Sequence, residues 1–171
     1  MRVVIGYGNE LRGDDAVGPR VARAIEALEL PDVTTCATPQ LTPELAEVLA
    51  QAELAVFVDA ALGGPAGTVE VVLLKPLALQ TPLGHLTHPP ALLALAQAVF
   101  GRSPQAWIVR IFGAGFDIGQ AVSPDAEAGT LAAVDAVVAL LNRPLAPDDA
   151  PHAHPHDRPP EPPSGPAARH P

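Results

Sequence analysis

The sequence predicts a single α/β domain of three layers, in which a mostly parallel sheet of about five strands carries helices on both faces. Apolar runs of strand length alternate along the chain with segments whose apolar residues recur at helical spacing, and this alternation is typical of βαβ units. The clearest run, 54–58, is apolar throughout, as expected for a central strand that is covered on both faces. We expect this domain to span residues 1–142.

The first unit is a strand, a glycine loop, an acidic pair and a helix. The β-branched run 3–5 predicts the strand, and the glycines that follow it allow a tight turn. Asp14 and Asp15 stand where the first helix should begin, and that helix is expected to end near Leu30. The loop holds only half of a dinucleotide-binding fingerprint, since Leu11 takes the place of its third glycine, so nucleotide binding is disfavoured.

The later elements follow from the same kinds of signal. Proline at the first helical position predicts helices that begin after Thr42, His88 and Ser123. Apolar runs predict further strands at 33–36, 69–74 and 106–112. The residues expected to face inward from the last helix are Leu131, Val134, Val138 and Leu141.

The composition describes an acidic chain of 171 residues, 48 % hydrophobic, with a net charge of −9. That charge argues against a nucleic-acid partner and against docking on an anionic membrane, because both need clustered Lys and Arg. Cys36 is the only cysteine, which excludes an internal disulfide and a cysteine-based zinc site. With no signal peptide and no apolar run long enough to span a bilayer, we expect a cytoplasmic protein.

Acidic and histidine side chains follow three of the predicted strands. Asp14 and Asp15 follow the first strand, and Asp59 follows the clearest central one. His85 and His88 follow the strand after that. In a parallel sheet all three loops leave from the same edge, so these side chains can converge. Two carboxylates and an imidazole suit nickel, zinc or iron, with open positions left for water or for a partner's ligand.

Each of these residues also has a purely structural interpretation. Asp14 or Asp15 can cap the first helix and Asp59 can cap a loop, because aspartate hydrogen-bonds readily to local backbone N–H groups. His85 and His88 can be ordinary loop residues, and His88 can lie at the N-terminus of the next helix. The position of all three groups at strand ends favours a shared site over separate caps.

The glycine loop resembles a known motif. The stretch 6–18 reads G-Y-G-N-E-L-R-G-D-D-A-V-G and resembles the opening of the hydrogenase maturation proteases. The strand that runs into Asp59 fits the family's second acidic position. Residues 85–96 are similar to its histidine loop and following helix, and 119–124 to the loop before its last helix. The likeness covers about residues 1–142.

The resemblance implies a function and a site. Members of this family are endopeptidases with one α/β domain, and they remove a C-terminal extension from the large-subunit precursor of a [NiFe]-hydrogenase after nickel insertion. Their metal-contacting and catalytic residues carry over to Asp15, Asp59 and His85, with His88 as the alternative histidine. The nickel would arrive with the precursor, and the protease would use it to check that its partner is loaded.

Two other functions compete with this one. Peptidyl-tRNA hydrolases share the G-x-G-N opening, but they carry proline and glycine after the asparagine, where this chain has Glu10 and Leu11. A nickel metallochaperone would use the same acids together with the tail 143–171, which is rich in proline and expected to be disordered. The alternating histidines of that tail, able to chelate nickel, zinc or copper loosely, are His152, His154 and His156.

Overall fold

Strands and helices alternate along the chain as the apolar pattern indicates. The computed structural model describes residues 1–77 and 88–144, and these contain five strands and four α-helices. The strands are β1 (Arg2–Tyr7), β2 (Val33–Thr38), β3 (Leu54–Ala61), β4 (Val69–Leu74) and β5 (Gln105–Phe112). The helices are α1 (Val17–Glu26), α2 (Leu45–Gln51), α3 (Pro89–Phe100) and α4 (Pro124–Leu141), with a 3-10 turn at Gly13–Ala16 before α1.

The five strands form one sheet in the order β2-β1-β3-β5-β4. Strands β1, β2, β3 and β5 are parallel, and only the edge strand β4 runs antiparallel, to β5. The mostly parallel sheet is therefore confirmed. The chain leaves β1 toward β2 on one side, whereas β3 lies on the other, so the topological switch point falls between the carboxyl ends of β1 and β3. Open α/β sheets bind their ligands at such a point.

The antiparallel direction of β4 corrects one expectation. Only residues 62–68 join β3 to β4, and a parallel crossover needs a dozen or more. Strand β4 therefore runs back down the sheet, and Leu74 at its end pairs with Ala106 near the start of β5. The segment that follows Leu74, which carries His85 and His88, does not leave from the carboxyl edge of the parallel strands as we expected.

Two apolar cores cover the faces of the sheet and confirm the three layers. Helices α2 and α3 pack on one face around Ile5 and Phe57, both fully buried. Helices α1 and α4 pack on the other face around Val56 and Val109. Each such side chain contributes about 1.5–3 kcal/mol by burial. None of the helices within residues 1–77 and 88–144 combines the length and apolar character needed to cross a bilayer.

The expected inward stripe of α4 is only partly correct, since Leu141 is buried and Val134 and Val138 pack against the core, but Leu131 does not. Leu131 is 71 % exposed, whereas Ala126, Ala133 and Val137 are fully buried. The small residues face inward because α4 packs closely on the sheet, where a Cβ on Gly129 would lie 2.7 Å from Cγ2 of Ile111 on β5. The helix is apolar on most sides, so sequence spacing alone did not select the stripe of small residues that approaches the sheet.

Element ends differ from expectation in a few places. Helix α2 begins at Leu45 rather than directly after Thr42, and α1 ends at Glu26. The Ser123 cap is confirmed, since its hydroxyl oxygen accepts from the backbone N–H of Ala126 at 3.3 Å. Helix α4 ends at Leu141, next to the expected domain boundary at 142. The tail 143–171 stays a prediction, because residues from 145 onward lie outside those described.

Candidate active site

The glycine loop brings helix α1 against the ends of β1 and β3. A Cβ on Gly6 would overlap the carbonyl oxygen of Gly18, and a Cβ on Gly18 would lie 2.6 Å from the carbonyl oxygen of Val58. Gly8 has φ +143°, a conformation that side chains rarely adopt, and a Cβ there would overlap the carbonyl oxygen of Asp15. The glycines of the motif therefore let the acidic turn lie directly on the switch point.

Asp14 is a buried structural acid. Its carboxylate accepts four hydrogen bonds, from the backbone N–H groups of Ala114, Gly115 and Ser123 at 2.8, 3.1 and 2.7 Å, and from the Ser123 hydroxyl at 2.9 Å. Burial alone would raise the pKa of Asp14, but these donors outweigh it and hold the pKa below its usual value. Asp14 thus fastens the 3-10 turn to the loop between β5 and α4.

Asp15 has the opposite surroundings although it is the next residue. Its Oδ2 accepts from the backbone N–H of Asn9 at 2.7 Å, and the other oxygen has no donor among the described residues. The Asn9 side chain in turn accepts from the backbone N–H of Leu11 at 3.0 Å, which fixes the loop. Neither Asp14 nor Asp15 caps a helix through its side chain, so that interpretation is wrong.

Asp59 lies within β3, two residues before its end, rather than after the strand as predicted. Its pKa is raised to about 6, mainly by burial and in smaller part by the negative charge of Asp15, although hydrogen bonds from the Tyr7 hydroxyl and the Ala60 backbone oppose the rise. The same contact and burial raise the pKa of Tyr7 above its usual value. The negative charge of Asp15 acts on Asp59, and the glycine contacts set the acidic turn against the ends of β1 and β3, so both acids lie at the switch point.

Tyr7 and Arg110 are functional candidates that the sequence reasoning missed. Arg110 lies opposite Asp59 in the pairing of β3 with β5, and its positive charge lowers the pKa of Asp59. Its Nη1 donates to Oε2 of Glu70 on β4 at 3.1 Å. The signal was present for Arg110, because it is the one charged residue in an otherwise largely apolar strand. Tyr7 carried no such signal, since it reads as an ordinary strand residue.

Of the two candidate histidines, only His88 lies among the described residues. His85 lies outside the described residues. His88 is the N-cap of α3, with extended backbone and no side-chain capping bond, and Pro89 and Pro90 follow it in the first turn as expected. Within residues 1–77 and 88–144, no three side chains of His, Cys, Asp or Glu lie together closely enough to hold a metal ion. The described part of the site is therefore a pair of carboxylates.

The carboxylates of Asp15 and Asp59 accept fewer hydrogen bonds than that of Asp14, so they can supply part of a coordination sphere. Oxygen ligands joined by one imidazole fit nickel, zinc or iron, but two carboxylates alone leave most positions open. Asp15 and Asp59 thus fit a metal whose remaining ligands come from elsewhere. A carboxylate with a pKa near 6 also matches the acid–base role needed to activate water near neutral pH.

A cleft opens beside the glycine loop. It has a volume of about 380 Å³ and lies between the start of α1 and the end of β2. The ion pair of Arg23 with Glu10 stands at its wall, with Nη–Oε distances of 2.5 and 2.8 Å. Its other lining residues include Gly8, Asn9, Leu11 and Thr38. The cleft borders the loop that holds Asp15, because Asn9 of its lining donates its backbone N–H to Asp15, but Asp15 and Asp59 do not themselves line it.

Solved structures share this fold. The hydrogenase 2 maturation peptidase from a Thaumarchaeota archaeon is 28 % identical, with a TM-score of 0.61, and the match covers 82 % of this chain and 97 % of that one. The maturating endopeptidase HybD from E. coli is 24 % identical, with a TM-score of 0.62, over 82 % and 91 %. The [NiFe] hydrogenase maturation protease HycI from Thermococcus kodakarensis is 22 % identical, with a TM-score of 0.65, over 83 % and 92 %. No family model and no curated protein matches the sequence.

The α/β fold with acids at its switch point thus belongs to a class of endopeptidases. The chain thus shares its fold with hydrogenase maturation proteases, the family that the motif at 6–18 resembles.

Proposed function

We propose that this protein removes the C-terminal extension from the large-subunit precursor of a [NiFe]-hydrogenase after nickel insertion, and that it does so in the cytoplasm, as the sequence predicted. The observation that carries the proposal is the pair of unsaturated carboxylates, Asp15 and Asp59, at the switch point of a fold shared with maturation proteases. The cleft beside the glycine loop supports it, because a peptide substrate needs open space near the reacting groups and Asn9 of the cleft's lining bonds to Asp15.

The nickel in this proposal belongs to the substrate. Asp15, Asp59 and His85 would complete its coordination from one side, with His88 as the alternative histidine. The small number of donors in the described site supports this, since a metal held mainly by the precursor needs only a few ligands from the protease. Contact with the nickel would then report that the precursor is loaded and would place the scissile bond beside the acids. Hydrolysis would use a water activated by a carboxylate or by the metal as a Lewis acid.

The test compares nickel-loaded with nickel-free precursor from the same source. We expect the protein to shorten only the loaded precursor, scored by mass spectrometry of the large subunit. Efficient cleavage of the nickel-free form would contradict the recognition role, and no cleavage of either form would contradict the protease. Nickel binding by the protein alone, without cleavage, would instead indicate a metallochaperone.

The histidine is tested in the same assay. His85→Ala should abolish cleavage of the loaded precursor, while His88→Ala should leave it largely intact. The reverse result would keep the function and move the ligand to His88. Loss in both variants would require circular dichroism, since His88 precedes α3 and its removal can disturb the start of that helix.

A further inference from the structure

Polar side chains form a row across one face of the sheet near its carboxyl edge. Asp59 on β3 lies opposite Arg110 on β5, and Arg110 lies opposite Glu70 on β4. Tyr7 on β1 reaches the other side of Asp59 with its hydroxyl group. The guanidinium of Arg110 therefore has a carboxylate on each side, one at the candidate active site and one at the sheet edge.

Arg110 takes the edge carboxylate. Its ion pair among the described residues is with Glu70, at 3.1 Å between Nη1 and Oε2, and it forms none with Asp59. The Asp59 carboxylate is the more buried of the two, and a charge-assisted pair is stronger where water is excluded. An Arg110 without Glu70 would thus have a ready partner in Asp59.

We propose that Glu70 is a positioning residue, which holds Arg110 toward β4 and thereby leaves the Asp59 carboxylate open to the substrate. The inference rests on the proposed function, since an open Asp59 carboxylate is what a substrate-borne nickel or an attacking water needs. Arg110 keeps a useful effect at this distance, because its positive charge offsets the repulsion between Asp59 and Asp15.

This arrangement predicts an unusual order of effects. Glu70→Gln frees Arg110 to pair with Asp59, so it should lower kcat by about fivefold, the scale of a half-exposed ion pair, with little change in KM. Arg110→Gln cannot block Asp59 and should lose less, within about twofold at pH 8. The double variant should behave like Arg110→Gln, because Glu70 acts only through Arg110.

The experiment measures kcat and KM for cleavage of nickel-loaded precursor by the parent, both single variants and the double variant. Glu53→Gln is the matched control, since it removes an ion pair with the N-terminus at the amino ends of β1 and β3, away from the carboxyl ends where Asp59 lies. Restoration of kcat in the double variant supports the proposal. Additive losses, or a Glu70→Gln enzyme as active as the parent, would overturn it. Glu70→Thr serves if Glu70→Gln does not fold, since threonine suits a strand.

A crystal structure of Glu70→Gln gives a reading that does not depend on activity. We expect an Nη atom of Arg110 within about 4 Å of an Asp59 carboxylate oxygen in the variant, the distance of an ion pair. An Arg110 side chain that stays directed toward β4 would contradict the proposal. If the parent protein itself fails to cut precursor, the proposed function fails, and this structure still decides whether Glu70 holds Arg110.

Discussion

Asp14 and Asp15 are neighbours in the chain but belong to different regions of the molecule. Asp14 is fully buried in a structural clamp, where four donors saturate its carboxylate. Asp15 belongs to the open acid pair with Asp59 and has one donor among the described residues. The same side chain is therefore saturated by backbone donors in one region and left open in the other, and the number of donors around it makes the difference.

The two regions respond to charge in opposite ways. Folding favours the ionised form of Asp14, whose pKa is lowered, and opposes the ionised form of Asp59, whose pKa is raised to about 6. The clamp thus contributes stability above the ordinary pKa of an aspartate, and this is lost as the pH falls through the lowered value. The open pair costs stability at neutral pH, which is common where a site is organised for function.

The largest effect should come from removing the charge of the open pair. Asp59→Asn should lower cleavage of loaded precursor by at least about a hundredfold, since it removes a ligand or base. It should also raise the free energy of unfolding at pH 8 by about 1–3 kcal/mol. The stability held by a carboxyl with a raised pKa is full below the unfolded value of 3.8 and lost as pH rises through about 6. Urea unfolding at pH 8 and pH 4 measures it, and a destabilised variant at pH 8 would contradict the assignment.

The clamp should show the reverse behaviour. Asp14→Asn keeps the size of the side chain but replaces one carboxylate oxygen by an NH₂ group, which cannot accept a hydrogen bond. Some of the backbone N–H groups that now donate to Asp14 would then be buried without an acceptor. We expect a loss of about 2–4 kcal/mol in the free energy of unfolding at pH 7. Urea unfolding at constant m-value measures this loss. A change below about 1 kcal/mol would mean that the clamp contributes little to the fold.

The pH profile sharpens the comparison further. Cleavage should rise with pH through a midpoint near 6 in kcat/KM, as Asp59 ionises in the free enzyme. Tyr7→Phe removes a hydrogen bond that favours the ionised carboxylate, so the midpoint should move to higher pH. The negative charge of Asp15 raises the pKa of Asp59, so Asp15→Asn should move the midpoint of any residual activity to lower pH. Rate measurements between pH 5 and pH 8 test this. If Tyr7→Phe leaves the midpoint unchanged, the titrating group is not Asp59.

The smallest effect concerns one member of the clamp. Ser123 donates its hydroxyl to Asp14 and also caps α4, so Ser123→Ala loses both contacts and keeps the backbone donor. We expect a loss of about 1 kcal/mol in unfolding free energy with cleavage nearly unchanged. Thermal unfolding measures the loss of stability, and the precursor assay measures the cleavage rate. Lost activity at full stability would place Ser123 in the open pair's region instead.

Local sequence patterns predicted much of the fold. The run 69–74 predicts β4 with the bounds that the structure shows, and the prolines at 89 and 90 and the cap at Ser123 predict the starts of α3 and α4. The direction of β4 was not predicted, because it depends on the short connection and on which neighbour the strand joins in space. The inward stripe of α4 was predicted only in part because several sides of that helix are apolar.

The site was predicted only as far as local sequence reaches. Asp15 and Asp59 both lie at the switch point, as strand order made plausible, and their role as a site stays a prediction. The saturation of Asp14 depends on donors about a hundred residues away in the chain, at Ala114 and Ser123, so no local pattern could separate it from Asp15. The Tyr7 contact depends likewise on the pairing of β1 with β3.

The most direct test sets Asp14→Asn beside Asp15→Asn, with unfolding free energy and cleavage of nickel-loaded precursor measured on both. We expect Asp15→Asn to keep its unfolding free energy within about 1 kcal/mol of the parent and to lose cleavage. Asp14→Asn should lose stability but cut precursor within about tenfold of the parent rate at a temperature where it stays folded. A folded Asp15→Asn that cuts at the parent rate, or a folded Asp14→Asn that does not cut, would contradict this division between the two acids.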